Sequence, residues 1–181
     1  FSTVSCRQVT LTVNIPARRR AGPLHLLVDS TGIKICGEGE WKVKKHGAEY
    51  RRAWRKVHLA IDAATLDIRA VEMTDHRQGD AAQTEERLSQ LGPAEQLGSF
   101  SGDGAYDTRG VYRVVTGRGG AVIVPPRRNG KPGKDKTDFA PLRNETLAAA
   151  RHLGWRLWKR RSGYHRRSLV ETTMLRFKLL G

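Results

Sequence analysis

Apolar residues along the chain fall into short blocks, and their spacing changes character near residue 80. Leu24 to Ile35, LHLLVDSTGIKI, is an almost unbroken apolar run with β-branched content, the pattern of a strand buried on both faces. Val57 to Asp62 and Leu66 to Met73 alternate apolar and polar positions, with a short turn between them at Asp62 to Thr65. Three successive strands joined this way predict an antiparallel meander. Helical spacing takes over from Ala81 to Leu91, with Gly79-Asp80-Ala-Ala-Gln83 as a capping-box-like start and Gly92-Pro93 as the stop. A strand around Ser99 to Gly102, a helix over Thr108 to Thr116 capped by Asp107, and a strand over Ala121 to Val124 follow. Pro125-Pro126 closes that strand, and Leu142 to His152 is an Ala-rich helix. The order predicts an α/β fold.

The C-terminal stretch Tyr164 to Lys178, YHRRSLVETTMLRFK, carries a different pattern. Tyr164, Arg167, Glu171 and Lys178 stand at offsets of three, seven and fourteen residues. On a continuous helix they fall within an arc of about 60°. Val170, Met174 and Phe177 flank that stripe on one side and Leu175 and Leu179 on the other, with Arg166, Thr173 and Arg176 opposite. Charges bordered by apolar residues are expected to face the protein body. A solvated face is the rival explanation, and it would leave the apolar flanks partly exposed.

Charge narrows the class of partner. The 181 residues contain 33 Lys and Arg against 18 acids, a formal net charge of +15, which predicts a polyanion, most simply nucleic acid. Between Trp41 and Lys56 seven cations face one acid. Trp41, Lys42, Lys44, Lys45, Arg51, Arg52 and Arg55 are candidates to track a phosphate backbone and stack on bases, with a solvated hairpin tip as the alternative. Arg127 to Asp138 is a second basic, Gly- and Pro-containing loop, expected to be mobile. Cys6 and Cys36 lack metal-ligand spacing and read as reduced thiols of a cytoplasmic protein. No run has the length of a membrane span. Residues 1–22 read as a linker or arm, with a short strand at Val9 to Ile15, and residues 23–181 as one domain.

Three acids stand out against this background. Asp29 lies inside the first strand, where a carboxylate is costly unless it is paired or bound to metal; a salt bridge is the plain alternative. Asp103 sits between Gly102 and Gly104 at the end of the fourth strand; the glycines permit a sharp turn and leave room for a ligand, though Gly-Asp-Gly also marks ordinary turns. Glu171 is the single acid among nine cations between Arg151 and Lys178. Asp75, His76 and Asp80 precede a helix and suit turn and cap duties better than ligand duties. Carboxylates from three separate elements can converge to hold Mg²⁺, and two such ions can drive an in-line displacement at phosphorus. Arg167 and Lys178 would then neutralise phosphate charge, beside Tyr164.

The text HLLVDSTGIKICGEGEWKVKKHG, WRKVHLAIDAATLDI, SGDGAYDTRG and GYHRRSLVETTMLRFK resembles the DDE transposases of bacterial insertion sequences, in the insertion-sequence-five branch. The last segment carries the Tyr-x2-Arg-x3-Glu-x6-Lys signature at Tyr164, Arg167, Glu171 and Lys178, and the likeness runs from about Gly22 to Gly181. The resemblance implies a ribonuclease-H-like fold, a mixed five-stranded sheet flanked by helices. It implies Asp29, Asp103 and Glu171 as a catalytic triad holding Mg²⁺ or Mn²⁺, as two ions, for cutting transposon ends and for strand transfer by the freed 3′-hydroxyl. The implied partners are terminal-repeat and target DNA and a second copy in a homodimeric active complex, in the bacterial cytoplasm at the nucleoid. The family's upstream DNA-recognition region is missing from the matched text. A truncated copy that only binds DNA, and a basic structural protein, are the rival readings.

Overall fold

The structure is a computed structural model that describes residues 22–34, 54–133 and 139–179. The strand expected at Val9 to Ile15, both cysteines, and Trp41, Lys42, Lys44, Lys45, Arg51 and Arg52 lie outside the described residues. Five strands form one mixed sheet around β1 (Leu24–Lys34). On one side β1 pairs antiparallel with β2 (Trp54–Asp62), which pairs antiparallel with β3 (Ile68–Asp75). On the other it pairs parallel with β4 (Leu97–Ser101), which pairs parallel with β5 (Ala121–Ile123). The order β3-β2-β1-β4-β5 with flanking helices is the ribonuclease-H-like arrangement that the resemblance implies.

Alternation along β1 divides the core between two faces of the sheet. Leu24, Leu26 and Val28 pack with Phe100, Tyr106, Leu88 of α1 (Thr84–Ser89) and Val111 and Val115 of α2 (Arg109–Gly117). On the opposite face Leu27, Ile61 and Ala63 pack against Val170 of α4 (Ser168–Leu179), and Val57 and Leu59 against Met174. Asp29 follows Leu27 by two residues, so its side chain is delivered to the α4 face. The long helix α3 (Ala140–Arg161) is broken at Gly154, whose φ of 73° and ψ of 161° are not helical. The expected helix over Leu142 to His152 is thus the first part of a longer, interrupted one. Among the described residues no helix is long and apolar enough to cross a membrane.

Two expected helix caps are corrected. The α1 helix begins at Thr84 without a side-chain cap, because the Asp80 carboxylate is turned to the sheet. There it accepts from Ser30 Oγ at 2.6 Å and meets Lys56 Nζ at 2.5 Å. Burial opposes ionisation of Asp80, but the hydrogen bonds from Lys56 and Ser30 outweigh it and hold its pKa below the ordinary value. The Thr108 hydroxyl, and not Asp107, caps α2 by accepting from the Val111 N–H. Asp107 is instead buried against α3: Arg143 Nε and Nη2 donate to its two oxygens at 2.7 and 2.8 Å, and the Arg127 N–H donates to Oδ2 at 3.1 Å. A short polar residue before a helix is a cap only if no deeper cation claims it. Asp75 does serve its turn, accepting from the Arg77 N–H at 3.0 Å.

The basic loop after Pro126 is also less free than its composition suggests. Lys131 O accepts from Arg143, Gly130 O accepts from Arg151, and Gly133 exchanges two hydrogen bonds with the Asn144 amide. Its first half, through Gly133, is therefore fastened to α3, while residues 134–138 lie outside the described residues.

Asp107→Ala removes a fully buried carboxylate and strands the Arg143 guanidinium, and is expected to cost about 3 kcal/mol. Urea unfolding measures it; a loss within about 0.5 kcal/mol, typical of surface substitutions, would show that the pair does not brace α3.

Candidate active site

Strand register brings the first two acids together. The last β1–β4 partners are Leu27 and Ser101, where β4 ends while β1 continues to Lys34. Asp29 and Asp103 each lie two residues past that pair. Neighbouring strands are about 4.8 Å apart, so the two acids emerge at one level in the crevice where one strand outlasts its neighbour. Crevices beyond the carboxyl ends of parallel strands are the usual ligand sites of open α/β sheets.

Each acid is held by local geometry. The Asp103 carboxylate accepts from the Ala105 N–H at 2.9 Å and caps the short 3₁₀ turn Gly104–Tyr106. A Cβ on Gly102 would come within 2.6 Å of the Tyr106 ring and 3.0 Å of Val28. The space expected to admit a ligand beside Asp103 is, on the Gly102 side, filled by Tyr106. That ring is fixed by Arg87, which is 1% exposed and donates to the Tyr106 hydroxyl at 3.2 Å. Ser30 supports Asp29 in turn: its N–H donates to Asp29 Oδ1 at 2.9 Å while its hydroxyl is tied to Asp80.

Glu171 reaches this crevice through Arg167. Gly163, in the left-handed region at φ 72°, lets the chain turn out of α3 into a 3₁₀ turn, Tyr164–Arg167, from which α4 starts at Ser168. Arg167 Nη2 lies 3.2 Å from Asp29 Oδ2, and Nη1 donates to Glu171 Oε1 at 2.8 Å. One guanidinium thus joins two of the three acids, and the Asp103 charge acts on it as well. Among the described residues no three acid or histidine side chains are close enough to hold a metal ion. Arg167 stands between Asp29 and Glu171 and relieves the mutual repulsion of their carboxylates.

The rest of the signature is divided by the change of helix type. Tyr164 is buried, its ring 5.5 Å from Trp158 and 5.9 Å from Trp155. Lys178 is exposed in the last turn of α4. Val170 and Met174 are buried as expected, but Leu175 and Leu179 are 59% and 78% exposed, so only one flank of the stripe meets the body. Arg166, expected on the far side, donates to Ala63 O at 3.0 Å because the 3₁₀ turn rotates it inward. Arg55 lies 3.6 Å from Asp75, its cross-strand partner.

The electrostatics follow from this packing. Burial pushes the Asp29 carboxyl above its ordinary value, assisted by Asp103 and Glu171 and opposed by Arg167 and the Ser30 N–H. Burial also raises the Tyr164 phenol. For Arg167 burial acts against the charge, but the surrounding acids and Tyr164 outweigh it and raise its pKa further. Its Nε is buried without a hydrogen-bond partner. The supporting residues Arg87, Ser30 and Tyr106 escaped the sequence reading, and Asp80 was read there as a cap. The available signal was Arg87, a cation one residue before buried Leu88 and three after buried Thr84, on the apolar side of its helix.

The raised Asp29 value has a sign that can be measured. Because the folded chain holds this proton more tightly than the unfolded chain, ionisation of Asp29 opposes folding. The penalty is absent below the unfolded value near 3.8 and grows as pH rises through the folded value. Asp29→Asn is therefore expected to be more stable than the parent at neutral pH, the difference vanishing in acid. Urea midpoints across pH check this, and lower stability of the variant at neutral pH would contradict it.

Comparison with known proteins agrees with the fold. A family model described as transposase DDE domain matches residues 20–180, and a second with the same description matches residues 1–38. No solved structure matches the chain. With nearly the whole length covered by the first match, the chain belongs to the family of transposase DDE domains.

Proposed function

We propose that this chain is the catalytic domain of a transposase of the insertion-sequence-five branch, cutting transposon ends in DNA and joining them to a target. The observation that carries the reading is the shared level of Asp29 and Asp103 beyond the Leu27–Ser101 pair, with Glu171 linked to them through Arg167. Asp29, Asp103 and Glu171 are the catalytic acids in this reading. Tyr164, Arg167, Lys178 and Arg55 are DNA contacts, together with Trp41, Lys42, Lys44, Lys45, Arg51 and Arg52, and the working form is a homodimer in the cytoplasm.

In donor chemistry the three carboxylates suit Mg²⁺ or Mn²⁺, and Arg167 has to leave its place between Asp29 and Glu171 for them to close on an ion. All three groups are carboxylates, and the ionised form of Asp29 is opposed both by burial and by its acidic neighbours, a strain that a cation relieves. When bound, a pair of such ions supplies charge neutralisation at phosphorus and a more acidic attacking water. The chain's own residues do the rest. Asp29 is presented from within β1 and Asp103 from just past the end of β4, at a spacing set by the register of the two strands, and Glu171 is presented by a helix packed through Val170 and Met174. Arg167, freed from one carboxylate, is placed to meet a phosphate oxygen. Water attack at the scissile phosphorus breaks the P–O3′ bond, leaving a 5′-phosphate and a 3′-hydroxyl, with the water's proton lost and one gained by the departing oxygen. The same hydroxyl then attacks a target phosphodiester, forming a new P–O3′ bond and releasing a target 3′-hydroxyl.

Incubation of the purified chain with supercoiled plasmid and Mg²⁺ is expected to yield nicked circles, and chelator to prevent it. Asp29→Ala, Asp103→Ala and Glu171→Ala should each lower nicking by roughly 10²-fold or more while leaving DNA binding largely intact. Arg167→Ala should reduce both. Undiminished nicking by any acid variant removes that residue from the mechanism. DNA binding with no nicking by the parent would favour a remnant that only binds.

A further inference from the structure

A second charged feature lies apart from the acids. Between the end of β5 and the first turn of α3 there is a cleft of about 550 Å³, lined by Arg109, Arg127, Lys131 and Arg143 and by one acid, Asp107. Asp107 is already committed, since both its oxygens accept from Arg143 and one also accepts from the Arg127 N–H. Its charge serves to anchor Arg143, and among the described lining residues cations outnumber acids. They are not loose. The strap from Gly130 to Gly133 is fixed to α3 by Arg143, Asn144 and Arg151, which holds Lys131 over the cleft. Phe139 offers α3 no side-chain cap, so the positive end of the helix adds to the field. Cations gathered on a braced frame repel one another, and an anion bound among them removes that cost.

The cleft also adjoins the proposed cutting site. The Arg127 guanidinium donates from Nε to Gly104 O and from Nη2 to Ala105 O, both at 3.4 Å. Those carbonyls belong to the turn that Asp103 caps. We propose that this cleft is a subsite for a backbone phosphate of the substrate DNA, held by Arg127 and Lys131 on the Asp107–Arg143 pair. It rests on the DNA-cutting reading above and adds to it a phosphate other than the one cut. Guanidinium and ammonium groups suit a phosphodiester oxyanion, and contacts to the backbone phosphate carry no base information, so the contact is indifferent to sequence.

The test is a salt titration of binding to a fluorescein-labelled DNA duplex, read by anisotropy. Each lost phosphate contact is expected to lower the slope of log K against log salt by about 0.9. Lys131→Ala should show that loss without a change in melting temperature, Lys131→Glu a larger one, and Arg127→Ala a comparable one. Arg113→Ala, which removes an exposed cation of α2 outside the cleft, should keep the parent slope. A parent slope in Lys131→Ala, with parent binding and nicking intact, overturns the subsite and leaves the function standing. An equal loss in Arg113→Ala also overturns it, since the cleft would then act only as general surface charge. A parent that neither binds nor nicks overturns the function, and the subsite with it.

Discussion

An ionised aspartate in the central strand of the sheet is the constraint around which the chain is arranged. Asp29 lies among residues that bury apolar surface on both faces, and its ionisation works against folding. Removing that carboxylate from water is tolerable only because a guanidinium and a backbone N–H face it. The position of α4 follows from this need as well as from its apolar contacts. Val170 and Met174 dock the helix on β1 and β2, and Arg167, one residue before the helix, lands on Asp29.

Acids elsewhere in this basic chain have structural tasks, and burial separates the two uses. Asp107 is covered and saturated by Arg143 and Arg127, so it has no remaining capacity for a ligand. Asp80 is satisfied by Ser30 and Lys56, and through Ser30 it steadies the residue that holds Asp29. Asp103 and Glu171 differ in kind. Asp103 uses one oxygen for its own turn, and the Glu171 side chain is 58% exposed and pairs with Arg167 in the crevice. Groups with spare lone pairs lie at the crevice, above saturated groups in the frame that hold them in place.

Most elements were legible in local pattern, because a strand buried on both faces and a strand half-exposed have different alternation. The β1, β2 and β3 meander and the strand delivering Asp103 follow from such spacing. Caps were less legible. Asp80 and Asp107 stand where caps stand, yet each was claimed by a cation from a distant element, Lys56 and Arg143. The stripe from Tyr164 to Lys178 assumed one continuous helix, whereas Gly163 opens a 3₁₀ turn that shifts Tyr164 and Arg166 from their ideal angles. Arg87 was hidden because its partners, the Tyr106 hydroxyl and the Asp80 and Gln83 carbonyls, include backbone atoms that carry no residue-specific signal.

Periodicity and charge, being properties of neighbours along the chain, were enough to determine the α/β class, the strand order in sequence, the basic character and the three candidate acids. Which acids share a crevice was decided only by folding, through the parallel register that sets Leu27 against Ser101 and carries Asp29 and Asp103 past it together. The same holds for Arg167 between Asp29 and Glu171, and for the braced cations beside α3. The Leu27–Ser101 and Asp29–Arg167 pairings join residues dozens of positions apart, and their energies depend on burial and direction, quantities that exist only once the chain has closed on itself.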